Sequence, residues 1–517
     1  MKEGFRQAMA WLHTWAGLVF GWLLFAIFLT GTLSYFKDEV NHWTHPEIAS
    51  HPLDDAAALD KAQRYLEQHA AGMKTWYINL PDERQPYIQV MYPGPSGRFA
   101  NQILDAGSGQ LAAARESMGG EFFYQFHYQL QLPYPWGRWL ASLCALVMLV
   151  TLISGIITHK KIFKEFFTFR PRKGQRSWLD GHNAVGVLVL PFHLMITYSS
   201  LVIFMTMLLP GNILAQYGKQ TTAIYDDLMP SRGVPAAANQ PAPLVSLSEL
   251  YRDFQQQAPG SRLGLIEVDH PGDANASVVF GRHGGDRIVH QIGYGRVYDG
   301  VSGALRFDRQ VSSVPMMIAG GLYGMHMGHF AGPGLRWLYF LAGIGGTAMI
   351  GTGLVMWLGK RQLKHAKSAR QPFHLCLVAV LNVMSMGGLM LAVIGFFYAN
   401  RLLPFELAGR SGLEVRVFFW VWALSALHAA LRPARQAWLE QLGLAALLYA
   451  GLPLLNAVTT GQGLNRSLAQ GDWAMAGVDL TALAWGLLLA WAVRKLWRNV
   501  PVVKARKVAM SAEGEPT

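Results

Sequence analysis

Six histidines set out the chemistry open to this chain. His13 and His182 each begin a His-x-x-x-Gly pattern, completed by Gly17 and Gly186, at the start of an apolar stretch. His127 and His326 stand in Phe126-His127-Tyr128-Gln129-Leu130 and Met325-His326-Met327-Gly328-His329. These two segments correspond with a one-residue gap and precede two more apolar stretches. A porphyrin iron held by two neutral imidazoles needs one histidine per helix at matched depth, with a small residue one turn away to leave room for the ring. Gly17 and Gly186 lie four residues after their histidines, on the same helix face, and are read as that room. Two bis-histidine haems, one near each surface of a ~30 Å hydrocarbon layer, imply electron relay across it. With both axial positions filled, oxygen chemistry at the iron is not expected.

Two further histidines compete for the outer position. His193 follows His182 by a rotation of about 1,100°, which returns it near the same face ~16 Å deeper. A histidine that deep in an apolar segment is read as functional, either as an outer ligand or on a proton path. Its first-half counterpart is Leu24. His329 is an alternative to His326. His159, beside Lys160, reads as an interfacial side chain. The run from Met316-Met317 to His329 has the composition of a thioether-imidazole copper site, although its first-half counterpart contains no methionine. Gly343-Ile344-Gly345-Gly346 lies inside an apolar stretch and reads as close helix packing. No P-loop or dinucleotide fingerprint appears, so neither a flavin nor a nicotinamide site is expected. A catalytic residue cannot be named from the sequence.

The elements that must position these side chains are membrane helices. Of 517 residues, 51% are hydrophobic and 15% charged, against about 25% charged in soluble domains. Six uncharged stretches of about twenty residues, with two shorter ones, exclude a cytosolic enzyme and a disordered regulator. The net charge of +12 sits in short loops, where it sets orientation rather than binding nucleic acid. Cys144 and Cys376 each lie in an apolar stretch and offer no disulfide framework.

The expected fold is a mainly α membrane protein with eight transmembrane helices and two small α+β extracytoplasmic domains. Helix 1 falls within residues 1–36, the first external domain at 37–136, helix 2 at 137–159 and a basic loop at 160–178. Helix 3 follows at 179–209, the second external domain at 210–335, helix 4 at 336–359 and a loop at 360–371. A four-helix C-terminal membrane domain at 372–497 and a tail at 498–517 complete the chain. The basic residues of 160–176, 360–370, 432–435 and 494–507 all fall on one side, which the positive-inside bias makes the cytoplasm, with both termini there. In the external segments, residues 55–69 and 247–257 read as helices. The alternating runs at 76–80, 87–91, 263–268, 276–280 and 293–298 read as strands.

The chain is also duplicated. Asp105-Ala106-Gly107-Ser108-Gly109-Gln110-Leu111 matches Asp299-Gly300-Val301-Ser302-Gly303-Ala304-Leu305. Arg138-Trp139 followed by Ser154-Gly155 matches Arg336-Trp337 followed by Thr352-Gly353 at the same offset. Copies running in the same direction pack about a pseudo-two-fold axis along the membrane normal, which brings His13 opposite His182 and His127 opposite His326. The last four helices lie outside the repeat.

These motifs, with Thr30-Gly31 in helix 1, resemble the PepSY-associated transmembrane family of iron-regulated bacterial inner-membrane proteins over about residues 5–370. The resemblance implies that the external segments are PepSY domains. It also implies similarity to ferric-siderophore reductases, cytochrome b-like proteins that pass electrons through two haems to periplasmic ferric chelates. His13, His182, His127 and His326 carry over as haem-iron ligands. The electron donor is then a quinol or a cytoplasmic reductase. The second half departs from the pattern, with Ser199-Ser200 where the first has Thr30-Gly31. His374 and His428, in the extra helices, are candidates for a donor site. Two other functions compete: a siderophore or metal permease, and a PepSY membrane anchor that restrains a peptidase.

Overall fold

The computed structural model describes residues 3–94, 99–159, 168, 170, 173–218, 220, 234–289, 295–309, 314–368 and 370–498. The basic segments 160–167 and 499–517 lie outside the described residues. The first half runs α1 (Glu3–Ser34), α2 (Lys37–Thr44), α3 (Asp55–His69), β1 (Thr75–Asn79), β2 (Tyr87–Pro93), β3 (Phe99–Asp105), α4 (Gly119–Gln129) and α5 (Trp136–Thr158). The second runs α6 (Gln175–Leu188), α7 (Leu190–Ile203), α8 (Met205–Leu208), α9 (Pro210–Tyr217), α10 (Leu247–Gln257), β4 (Leu263–Asp269), β5 (Ser277–Arg282), β6 (Gly295–Asp299), β7 (Leu305–Arg309), α11 (Val314–Met327) and α12 (Pro333–Lys364). Then come α13 (Phe373–Leu402), α14 (Arg410–Leu431), α15 (Ala434–Thr460), the short α16 (Leu464–Gln470) and α17 (Trp473–Arg498).

Seven of these helices, α1, α5, α12, α13, α14, α15 and α17, are long and apolar enough to cross a membrane, and the chain is a multi-pass membrane protein. The expected straight third span is instead the pair α6 and α7, bent by 65° at Val189. Pro191 accounts for the break: it has no N–H to donate, and its ring collides with the carbonyl four residues back, which ends α6 and is tolerated in the first turn of α7. Counting that pair as one span gives eight. Polar residues in α1 are accommodated locally. The hydroxyls of Thr30, Thr32 and Ser34 donate to the carbonyls of Ala26, Phe28 and Thr30 at 2.7–2.8 Å.

The two external segments were expected as separate small domains, but their strands form one antiparallel seven-stranded sheet in the order β3-β2-β1-β4-β5-β6-β7. The halves join where β1 pairs with β4, with Trp76 opposite Val268 and Ile78 opposite Ile266. Each half alone would expose that edge, and pairing satisfies both rows of backbone groups. The helices α3 and α10 cover the sheet in a shared core containing Leu59, Leu66, Ile78, Leu247, Phe254 and Ile266. The repeated turns are built alike. Asp105 accepts from the Ser108 N–H at 2.7 Å and Asp299 from the Ser302 N–H at 2.8 Å, and Gly109 and Gly303 close them at φ of 74° and 75°.

The four C-terminal helices grip the first half at the sheet-bearing end of the bundle. Arg410 and Glu414, both wholly buried, pair on one face of α14, and Glu414 also accepts from Ser117 at 2.6 Å and Asn400 at 2.9 Å. The Trp43 indole donates to buried Asp479 at 2.9 Å, and Arg401 stacks on the Trp43 ring at 3.5 Å.

Candidate functional site

The histidine of α1 meets that of α6 at the end of the bundle away from the sheet. The rings of His13 and His182 stand 6.5 Å apart, centre to centre, at 77°. The His13 Nδ1–H donates to the Thr151 carbonyl on α5 at 2.9 Å, and the His182 Nδ1–H to the Met349 carbonyl on α12 at 2.9 Å. A carbonyl oxygen only accepts, so the proton must sit on Nδ1 in both rings. That tautomer leaves each Nε2 with a bare lone pair, the form in which imidazole binds a metal.

A second pair lies nearer the sheet. His127 on α4 and His326 on α11 have ring centres 6.2 Å apart at 35°. The His127 Nδ1–H donates to the Ile27 carbonyl of α1 at 2.8 Å, fixing the same tautomer. His326 differs: its Nδ1 lies 2.9 Å from the Ser199 hydroxyl on α7, whose own hydrogen is directed to the Met195 carbonyl at 2.7 Å. The serine oxygen therefore accepts from His326, again leaving Nε2 bare. Ser199 occupies the place of Thr30, so the departure noted in the sequence changes the anchor of one histidine without changing its tautomer. His13 and Ile27 are fourteen residues apart on α1, which sets the two levels about 21 Å apart along the helix.

Glycines cut the seats for these rings. A Cβ on Gly31 would lie 2.5 Å from His127 Nδ1, and one on Gly155 would lie 3.0 Å from His13 Cε1. The sequence reading gave this part to Gly17 and Gly186, but those face Thr151 and Met349 on the neighbouring helices. Their effect is to let α1 approach α5, and α6 approach α12, closely enough for the carbonyl contacts.

His193 is fully buried and stands edge-on to Phe28 at 5.8 Å rather than facing another histidine. Among the described residues neither ring nitrogen completes a hydrogen bond, although the Ala342 carbonyl approaches. His329 is exposed and lines the mouth of the cavity that contains His127 and His326. His428 pairs with Glu440 at 2.7 Å between α14 and α15, and His374 is exposed in the first turn of α13; among the described residues neither makes a ring contact or hydrogen bond with the four paired histidines.

The cavity around His127 and His326 measures about 340 Å³. It shares Lys37, Asp38, Arg84, His329 and Arg336 with a cleft of about 2200 Å³ between the sheet and the helices. Arg84 joins Asp38 at 2.7 Å and Glu39 at 2.8 Å, and Arg336 reaches Glu39 at 2.8 Å. Burial works against the charged form of Asp38, yet Lys37 and Arg84 hold its carboxyl below the ordinary carboxylate range.

Residues 10–360 match the family described as the PepSY-associated TM region. The chain belongs to that family. An uncharacterized protein of Pseudomonas aeruginosa is 28% identical over 398 residues, covering 73% of this chain and 94% of the relative. The family match spans both halves and all four paired histidines, and ends before α13, so the C-terminal helices are an addition to the PepSY-associated unit.

Chemically, each pair brings two imidazoles close together, with Nδ1 engaged in a hydrogen bond and Nε2 left as the free donor. A metal–imidazole bond is about 2 Å and the ring centre lies about 1.1 Å behind the nitrogen, so two rings on one ion stand with centres about 6.2 Å apart. Both observed separations match. Among the described residues no three His, Cys, Asp or Glu side chains gather around a common point. Two protein donors alone are too few for a bare ion, whereas a porphyrin brings four nitrogens of its own and needs two.

Proposed function

We propose that this chain is a di-haem b electron carrier of the bacterial inner membrane that reduces a ferric chelate, such as a ferric siderophore, on the sheet-bearing, periplasmic side. The observation that carries the reading is the set of four histidines, two facing pairs at two levels, every one with its Nδ1 proton engaged and its Nε2 bare. His13 and His182 would hold one haem iron, and His127 and His326 the other. Haem supplies a one-electron ferric/ferrous couple when bound, and two axial imidazoles keep that couple at electron transfer.

The remaining groups have supporting parts. Thr151, Met349, Ile27 and Ser199 orient the ligands and raise their basicity. Leu24, Ile27, Phe28 and Phe192 give the cavity around His127 and His326 an apolar wall for the porphyrin face. The large cleft beneath the sheet meets the histidine cavity at the cluster of Lys37, Asp38, Arg84 and Arg336, which gives an external chelate a polar seat close to His127 and His326. The basic loops predicted to face the cytoplasm place both termini there, with His13 and His182 on the side from which a quinol or a cytoplasmic reductase would deliver electrons.

A decisive experiment uses proteoliposomes with a reductant sealed inside and an impermeant ferric chelate outside. Ferrous iron should appear outside with the native protein and vanish with the His13→Ala variant; equal rates for the two would reject the reading. A permease is the second reading, favoured by the 65° break at Val189 and the fully buried His193 beyond it, since broken helices mark transporter sites. Uptake of labelled chelate into the vesicles, without external ferrous iron, would select it.

A further inference from the structure

The sheet-side cavity is lined by four cations, Lys37, Arg84, Arg138 and Arg336, and by one carboxylate, Asp38. Three of the cations are already matched. Lys37 pairs with Glu121 and Asp38, Arg84 with Asp38 and Glu39, and Arg336 with Glu39. Arg138 makes no ion pair among the described residues. Its Nε donates to the Gln129 side-chain oxygen at 3.1 Å, and its guanidinium carbon lies 5.2 Å from the ring centres of both Tyr128 and Tyr134. Neutral groups therefore fix this guanidinium in place, and among the described residues its two terminal nitrogens have no acceptor.

The pseudo-two-fold makes the contrast specific. Arg138 and Arg336 occupy equivalent places near the starts of α5 and α12, and only Arg336 has a carboxylate. A half-buried guanidinium at the wall of an apolar cavity calls for an anion, and its planar fork matches a carboxylate. A cavity with this excess of positive charge also disfavours a bare divalent cation and favours a ligand that brings negative charge.

We propose that Arg138 binds a propionate carboxylate of the haem seated between His127 and His326, and so fixes the rotation of that porphyrin about its axial bonds. The proposal rests on the haem reading above. The same carboxylate chemistry would also be offered by an anionic ferric chelate in the cavity, and the test separates the two.

The experiment uses full-length protein in the His13→Ala background, so that only the sheet-side haem remains, with Arg138→Ala, Arg138→Gln and Arg138→Lys added in turn. Transfer of haem to excess apomyoglobin and potentiometric titration of the bound haem are the two readouts. Loss of one charge-assisted contact of about 1.5–3 kcal/mol predicts haem release roughly ten- to hundred-fold faster in the Ala and Gln variants. Their midpoint potential should also fall, because an unpaired propionate favours ferric iron, and Lys should restore it in part. A purely structural role would not give a potential that follows the charge at position 138. Unchanged release and potential in both Ala and Gln variants overturn the proposal. So does an effect confined to the KM for an anionic chelate, which would assign Arg138 to substrate. Absence of haem from the native protein would instead overturn the reading on which the proposal rests.

Discussion

Thr151 and Met349 stand thirteen residues past Arg138 and Arg336 in the two halves, and the carbonyl oxygen of each accepts a hydrogen bond from a histidine of the facing helix at 2.9 Å. Duplication has preserved a contact made by backbone atoms while the side chains at the two positions diverged, from a threonine to a methionine. What the fold repeats is a way of holding imidazole.

Removing one ligand should empty one level only. His127→Ala or His326→Ala is expected to halve the haem content while the far pair, about 21 Å away along α1, keeps its own. Haem-to-protein ratios of the two variants and of His13→Ala check this. A variant that loses all haem while remaining folded would show that the two levels are not independent sites.

The glycine seat predicts a reversal of the usual helix rule. Alanine in place of glycine stabilises a helix interior by about 1 kcal/mol, and Gly4→Ala in open space should do no harm. Gly31→Ala puts a methyl 2.5 Å from His127 Nδ1, so the ring must move and the sheet-side haem should be lost or turn high-spin. An unaltered low-spin spectrum would mean that the imidazole does not use this seat.

Ser199 anchors the His326 Nδ1 through its hydroxyl, with the Ile196 carbonyl also facing that ring, whereas His13 and His127 use a carbonyl alone and His182 a carbonyl with the Thr352 hydroxyl. Ser199→Ala should weaken haem retention at the sheet-side pair about 10–100-fold, the usual effect of losing a partner of a metal-bound histidine. Thr197→Ala, nearby on α7 and also buried, provides the control. Equal losses in both variants would assign the effect to packing.

The Arg410–Glu414 pair is wholly buried. Breaking it by Arg410→Ala leaves an uncompensated carboxylate and should cost about 3–5 kcal/mol of stability, seen as a lower melting temperature in detergent. The double variant Arg410→Met with Glu414→Leu, which removes both charges, should recover much of that loss. A larger loss in the double variant would contradict the pairing.

Acid sensitivity of the sheet follows from its turns. Although burial opposes it, the Ser302 N–H, Arg306 and the Val301 N–H hold Asp299 well below the ordinary carboxylate range, and the Ser108 N–H and hydroxyl do the same for Asp105. A depressed folded value means the stabilisation is complete above about pH 4 and is lost as pH falls through the folded value. The difference in melting temperature between the native protein and Asp299→Asn should therefore shrink from pH 6 towards pH 3. A difference independent of pH would show that the charge of Asp299 is not what the turn requires.

Hydropathy made the helices legible because a membrane helix must satisfy its backbone internally and clothe it in apolar side chains. Duplication made the histidines legible, since His13 alone is an ordinary interfacial residue and His13 with His182 is a pattern. The anchors were not legible: Thr151, Met349 and Ile27 act through carbonyls that every residue has. For the same reason the β1–β4 joint was missed, and two expected domains became one sheet. Arg410 and Glu414 were not legible as a helix-internal pair, because a charge count cannot tell a buried pair from a solvated one. The break at Val189 had a visible cause in Pro191, which an apolar window of twenty residues averages away.

The most direct measurement is the reduced-minus-oxidised spectrum of the purified full-length protein, with haem b and protein quantified on the same sample. Two haems per chain with the sharp bands of low-spin, bis-imidazole iron are expected. A folded, colourless protein, prepared from cells replete in haem, would contradict the assignment of the four histidines as ligands.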